Sequence, residues 1–249
     1  MKVSKTMRKD PMQTRGHIRD YERKLLKPFK ELKTEAASLL GRHSREMSRE
    51  LEADVNTVTY SKALADLIYN LVYDPLNPVV LYYTEQSYKK GAKFSVLALN
   101  RVGLNVSEYL FPVDWRALDI LKTRNLTALK GITEETNKAI IRELTAGMQK
   151  GEGLPKLAKR INDRIENIGM ARARKMAREE TNFAFRTATD TRYRQYGIRY
   201  VEWLTGQDER VCEECAARDG KIYRIDEVPD FHFGCRCTTL AVPDAEVEK

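Results

Sequence analysis

Residues 212–237 read CEECAARDGKIYRIDEVPDFHFGCRC and hold all four cysteines of the chain and one of its three histidines. Cys212 and Cys215 form a CxxC pair. After a sixteen-residue gap, His232, Cys235 and Cys237 form HxxCxC. A zinc ion takes four thiolate or imidazole ligands in a tetrahedron at about 2.0–2.3 Å, and a CxxC turn offers two sulfurs from one tight bend. Two short clusters separated by a loop supply the two halves of such a shell. Five residues compete for four places. Cys212, Cys215 and Cys235 are the first three; the fourth is open between His232, which is preferred because HxxC mirrors CxxC, and Cys237.

Other uses of these cysteines fit less well. A disulfide framework needs an oxidising compartment, and the basic start MKVSKTMRKDPMQTR is not followed by an apolar segment with a cleavage site, so no secretory signal is expected. A zinc deaminase needs H-x-E upstream of P-C-x-x-C. Here the upstream histidines, His17 and His43, stand in HIR and HSR, and Val211 precedes the CxxC. No HExxH motif is present, and no βαβ pattern surrounds the CxxC as a redox motif requires. A structural zinc is the expected cofactor, with no catalytic residue. It stabilises a small module whose large apolar residues are few, among them Trp203, Leu204, Ile222, Tyr223, Ile225 and Leu240.

Outward from the cluster, RYVEWLT (199–205), KIYRI (221–225) and CTTLAV (237–242) carry the β-branched and aromatic residues of short strands. Asp219-Gly220 marks a tight turn before the second. Everything upstream is helical in character. Tyr21 to Asp54 is rich in strong helix formers, with Pro28 and Gly41 as expected breaks. From Val58 to Arg101 an apolar-periodic region places Leu64, Leu67, Ile68 and Val72 on one face, and DPLNP (74–78) predicts a turn that splits it into two helices. Its tyrosines (Tyr69, Tyr73, Tyr82, Tyr83, Tyr88) are read as core or helix-packing residues. FPVDW (111–115) predicts a further helix start. Thr133 is an expected N-cap with Glu134 and Glu135 in the first turn. A stop falls at Gly147 to Gly153, Leu154-Pro155 opens the next helix, and Met170 to Gly197 forms one long helix. The fold class is therefore α+β and predominantly α-helical: a helical body with a small, zinc-stabilised, β-containing C-terminal module.

The chain has 249 residues, with 42% hydrophobic and 32% charged residues and a net charge of +8. No apolar run of membrane-spanning length appears. Residues 1–33 carry eleven Lys/Arg against four Asp/Glu, and residues 156–199 carry twelve against five. Two such tracts suit a polyanion or an acidic protein surface; a solvated helix face is the plain alternative. Sparse aromatic interleaving argues against sequence-specific nucleic-acid readout.

One long pattern joins these pieces. Ala177, Arg178 and Glu180 open the long helix, with Glu179 between them. Gly197 and Trp203 follow, then Asp208 with Cys212 and Cys215, then Asp219, Gly220 and Tyr223, and finally His232, Cys235, Arg236 and Cys237. The run resembles the phage Mu protein F-like family of head morphogenesis (minor capsid) proteins, from about Thr133 to Val242. It departs from the family pattern at Glu179, where Thr is usual, and in Pro-Asp-Phe before His232. The resemblance implies a structural, non-enzymatic virion protein of a tailed virus, inside the head near the portal and in the host cytoplasm during assembly. It further implies association with the portal protein and with major capsid or scaffold protein, and a part in head assembly, genome packaging or ejection. The basic tracts would then face packaged double-stranded DNA or acidic portal surface, and no membrane is involved. With only twelve residues after Cys237, no effector domain is expected. The expected organisation is a basic helical arm (1–54), a helical region (55–130), the head-morphogenesis domain (131–242, zinc module 200–242) and a tail (243–249). Within it, Glu180 is expected to bond the turn backbone of the zinc module, Arg178 to face Asp208 or Asp219, and Arg236 to brace the turn between two ligands. Ordinary surface ion pairs are the alternative for the first two.

Overall fold

The computed structural model describes residues 10–47, 63, 65–107, 113–206 and 208–247. The expectations at Leu64, at residues 48–54 and at Phe111 and Pro112 lie outside these residues. The chain divides into two compact units, one of residues 1–19, 82–123 and 178–249 and the other of residues 20–81 and 124–177. Helices dominate: α1 (Arg15–Met47), α2 (Asp74–Arg101), α3 (Trp115–Gln149), α4 (Leu154–Arg164), α5 (Ala171–Gln195), α6 (Glu213–Arg218) and α7 (Asp244–Val247). Strands β1 (Tyr200–Leu204), β2 (Ile222–Arg224) and β3 (Thr238–Val242) form one sheet near the C-terminus. No helix among the described residues is long and apolar enough to cross a membrane.

Three expected breaks are absent. Pro28 lies inside α1, and Gly41 is helical too. Tyr21, Leu25, Phe29, Leu32, Ala36 and Leu40 repeat at spacings of three and four, and all are buried. An interior proline costs about 3 kcal/mol, whereas each large buried side chain of that stripe returns about 1.5–3 kcal/mol, so burial wins. DPLNP is not a turn. A π-helical stretch, Tyr69–Tyr73, leads directly into α2, and the Asp74 N–H bonds to the Tyr69 carbonyl. The wider π turn accommodates Pro75, which has no N–H to give to the residue four places back. Thr133 is not an N-cap but sits within α3, where its hydroxyl donates to the Lys130 carbonyl. Asp114 caps that helix instead, accepting from the N–H groups of Arg116 and Ala117 at 3.0 and 3.1 Å. Of the tyrosines, Tyr83 and Tyr88 are buried, but Tyr69 and Tyr82 are 52% and 57% exposed.

Other expectations hold. α3 ends at Gln149, Pro155 stands in the first turn of α4, and α5 stops before Gly197, whose φ is +68°. Among the described residues, six of the twelve basic residues of the tract 156–199 are ion-paired. In the second unit Arg160 grips Glu152 with two guanidinium nitrogens at 2.6 and 2.7 Å and reaches Glu143 with a third. Arg164 also pairs with Glu143, Arg172 with Glu135 and Arg174 with Glu22. In the first unit Arg194 joins Asp190 and Asp226, and Arg199 holds Asp244.

β1 is the central strand, antiparallel to both neighbours in the order β2-β1-β3. Its residues serve two clusters. Val201 and Leu204 join Phe94, Leu99, Phe185, Tyr193, Ile225 and Leu240 in the main core of the first unit. Trp203, fully buried, joins Cys215, Cys235 and Cys237. α2 and α5 approach at Gly91. A Cβ there would run into the Phe185 carbonyl oxygen and lie 2.8 Å from its carbon, and the Thr189 hydroxyl donates to both the Gly91 and the Phe185 carbonyls. Because the obstacle is backbone, it cannot rotate away. Gly91→Ala is therefore expected to destabilise the protein by at least about 2 kcal/mol, whereas Gly131→Ala, whose added carbon meets open space inside α3, is expected to stabilise it by up to about 1 kcal/mol; urea unfolding of the two variants measures the difference.

Candidate metal centre

The five predicted donors converge. Any two of the Cys212, Cys215 and His232 donor atoms lie within 4.8 Å, as do those of Cys215, Cys235 and Cys237, so Cys215 is common to both groups. All four cysteines are free thiols; Cys215, Cys235 and Cys237 are buried and Cys212 is exposed. Local structure explains the CxxC half. Cys212 is the N-cap of α6, with extended backbone, and its sulfur accepts from the Cys215 N–H at 3.4 Å. One turn of helix then brings the second sulfur beside the first. In the other half, the Cys235 N–H bonds to the His232 carbonyl at 3.1 Å, with Gly234 at φ +78° completing the turn. The Cys235 sulfur accepts from the Cys237 N–H at 3.4 Å.

Within each of the two triads the spacings suit a metal. The sulfurs of Cys215 and Cys235 are 3.7 Å apart, and a tetrahedral zinc with sulfurs at about 2.3 Å has edges of about 3.8 Å. His232 Nε2 lies 3.0 Å from the Cys215 sulfur and 3.3 Å from that of Cys212. Its other nitrogen, Nδ1, is 2.8 Å from the Phe233 carbonyl. A carbonyl only accepts, so Nδ1 carries a proton, and in the neutral ring Nε2 is then the nitrogen with a lone pair, the tautomer a metal ligand requires.

The electrostatics point the same way. Burial pushes the Cys215 thiol up to about 12, and Cys237 is also raised, chiefly by its bond to Cys235. The bond from Cys237 brings Cys235 down to about 6, and the Cys215 N–H holds Cys212 below the usual thiol range. Neighbouring thiols thus push one another's ionisation in opposite directions. A divalent cation is the species that lets them all ionise together.

Aromatic rings cover the cluster. Phe231 stacks on Trp203 at 4.5 Å, and Tyr223 meets it edge-on. The Arg186 guanidinium lies 4.4 Å over Phe231 and that of Arg218 5.2 Å from Trp203. Gly220, at φ +75°, ends α6 and donates to the Trp203 carbonyl at 2.9 Å, while Asp219 accepts from the Thr205 N–H at 2.9 Å. This turn locks the CxxC helix to β1.

One expected partnership is different. Asp208 does not face Arg178, which is exposed. It takes both terminal nitrogens of Arg236 and also meets Arg210 and Arg15. Glu180 is buried, and its neighbour Glu179 accepts from the Gly234 N–H at 2.6 Å. Adjacent helical residues point about 100° apart, and of the two only Glu179 shares a face with Asn182 and Arg186. Those two were not singled out in the sequence. Asn182 donates to the Cys235 carbonyl at 3.0 Å and Arg186 reaches the same oxygen at 3.3 Å. An asparagine within a long helix, where it is a poor former, is the signal that marks the face.

Residues 138–240 match the family described as Phage Mu protein F like protein. An uncharacterized protein of Methanocaldococcus jannaschii is 32% identical over 145 residues, 57% of this chain and 23% of that protein. An uncharacterized protein of Haemophilus influenzae is 27% identical over 161 residues, 61% of this chain and 36% of that protein. The chain thus spans about a quarter to a third of the length of these relatives. No solved structure matches it.

The Asp208 cluster has a pH signature. The Arg236 guanidinium first, and then Arg210, hold the Asp208 carboxyl well below the usual carboxylate range. A depressed folded-state value contributes stability that is present above the unfolded value of about 4 and lost as pH falls through the folded one. Asp208→Asn is therefore expected to melt below wild type at pH 7, with the gap closing as the pH falls below about 4; paired thermal melts across this range measure it.

Proposed function

Residues 138–240 belong to the Phage Mu protein F like family, and from that premise we propose that the chain is a structural minor component of a tailed virus head. In this reading it associates with the portal protein, and with major capsid or scaffold protein, during head assembly, genome packaging or ejection. It acts in the virion, inside the head near the portal, after assembly in the host cytoplasm. The observation that carries the reading is the family match, whose C-terminal half is the Cys/His cluster and its sheet. The role is non-enzymatic, because the cluster offers enough soft donors to close a four-ligand shell and leaves no open position for a substrate.

The metal is zinc with a structural role. Cys212, Cys215 and Cys235 supply three thiolates. His232 is the fourth ligand, favoured by its protonated Nδ1 and its Nε2 directed at the sulfurs, and the Cys237 N–H supports the Cys235 sulfur. When bound, the ion supplies cross-linking free energy and positive charge. The residues do the rest: they orient the donors, exclude water with Trp203 and Phe231, and fix the histidine tautomer.

The partner that the pairing pattern favours is protein. Arginines of the tract 156–199 already paired with acids are less available to neutralise phosphates and so to release the counterions condensed on DNA. The alternative, a zinc-containing nucleic-acid-binding protein acting outside the virion or a metal-dependent nuclease, leans on the tracts 1–33 and 156–199, and the pairing of six residues of the second weakens it.

Mass spectrometry of purified particles tests the assignment. The chain is expected in particles that contain portal protein, and its absence from them would sink the proposal. Metal analysis of the purified full chain is expected to find close to one zinc per molecule.

A further inference from the structure

The ligand loop is held from outside. Residues 228–232 and 235–237 have no regular secondary structure, yet they carry His232, Cys235 and Cys237. On α5, Glu179, Asn182 and Arg186 stand at i, i+3 and i+7, within about 60° of one another around the helix axis. All three reach this loop. Glu179 accepts from the Gly234 N–H, Asn182 and Arg186 both donate to the Cys235 carbonyl, and Arg186 also covers Phe231. Asn182 is itself buried and oriented from behind, where the Thr14 hydroxyl meets its Oδ1 at 3.4 Å.

We propose that α5 is part of the metal centre: Glu179, Asn182 and Arg186 are positioning residues that set the His232–Cys237 loop in metal-binding geometry. The inference rests on the reading above that the cluster binds a divalent metal. The three contacts grip the two backbone groups, Gly234 N–H and Cys235 C=O, that bracket the turn between the histidine and the cysteine. With these fixed, the loop loses less freedom when its donors close on the ion. Arg186 has a second task. Three thiolates and one imidazole leave a divalent ion with one excess negative charge, and a charge taken out of water needs a partner. The guanidinium touching the carbonyl of the ligand Cys235 supplies a single positive charge beside the site. Glu179 acts oppositely, so its contribution is as an acceptor rather than as a charge.

The test uses the full chain titrated with cobalt(II), reading the thiolate-to-cobalt charge-transfer and d–d bands, with zinc competition giving relative affinity. Glu179→Ala, Asn182→Ala and Arg186→Met are each expected to weaken binding by about tenfold or more. Band positions should stay unchanged, because the ligands are the same. Glu179→Gln keeps an acceptor oxygen and is expected to bind nearly as wild type, and Arg186→Lys to fall between wild type and Arg186→Met. Thr187→Ala, on the same helix but outside the contacts, serves as the control. Far-UV circular dichroism checks that α5 is intact in every variant. The proposal is overturned if the alanine variants bind cobalt as wild type does, or if Glu179→Gln fails as badly as Glu179→Ala while both remain folded. A wild-type chain that gives no cobalt bands removes the metal reading itself, and the clamp with it.

Discussion

Two halves of a donor set, sixteen residues apart in the chain, have to meet beside a sheet of three short strands. That convergence is the constraint on which the C-terminal region depends. A sheet of this size is marginal alone, and a loop without regular structure does not hold a geometry. The chain answers with three supports. α6 builds the CxxC half from one helical turn, the Gly220 turn ties α6 to β1, and α5 holds the other half through its backbone. Trp203 stands where the supports meet. It pairs with β3 through its backbone, stacks on Phe231 and packs on three of the cysteines.

How far the sequence could be read follows from the range of the forces involved. The strands, the knuckle and the end of α5 are local matters of residue type and glycine placement, and they stand where the residues predict. So does the clustering of His232 with the cysteines. The misreadings at Pro28, Asp74–Pro78 and Thr133 share one cause. Each is a local helix-breaking or capping signal overridden by an apolar stripe that continues through it, in α1 by Tyr21 to Leu40 and in α3 by Leu129, Ile132 and Ile140. Local punctuation is worth a few kcal/mol at most, and it yields when several buried side chains depend on the helix continuing. The exposure of Tyr69 and Tyr82 is a plainer case, since an aromatic residue at a helical position carries no mark of which face is covered.

The site taught a finer lesson. The linear pattern singles out Glu180, and one step along a helix turns a side chain by a quarter of the circle and more. Glu179 is the neighbour that reaches Gly234. The targets of Asn182 and Arg186 are backbone atoms of Cys235, which residue identity does not record; the asparagine inside a helix marks the face but not what that face meets. Arg186 could equally have been one more member of a basic tract. Only the position of Phe231 and the Cys235 carbonyl separates it from arginines such as Arg160 and Arg172, which answer to acids instead.

The register of β1 carries a consequence for how the module comes together. Val201 pairs with Tyr223 on one side and Ala241 on the other, so the second pairing encloses roughly twice the chain of the first. Long enclosures cost more entropy to close and are slower to find. The hairpin of β1 with β2 encloses the CxxC turn, and the HxxC turn lies between β2 and β3. A bridge between Cys215 and Cys235 would therefore bypass most of the chain separating β1 from β3. Strand β3 would then be recruited as a near neighbour rather than sought as a distant one, making the metal a kinetic shortcut as well as a cross-link.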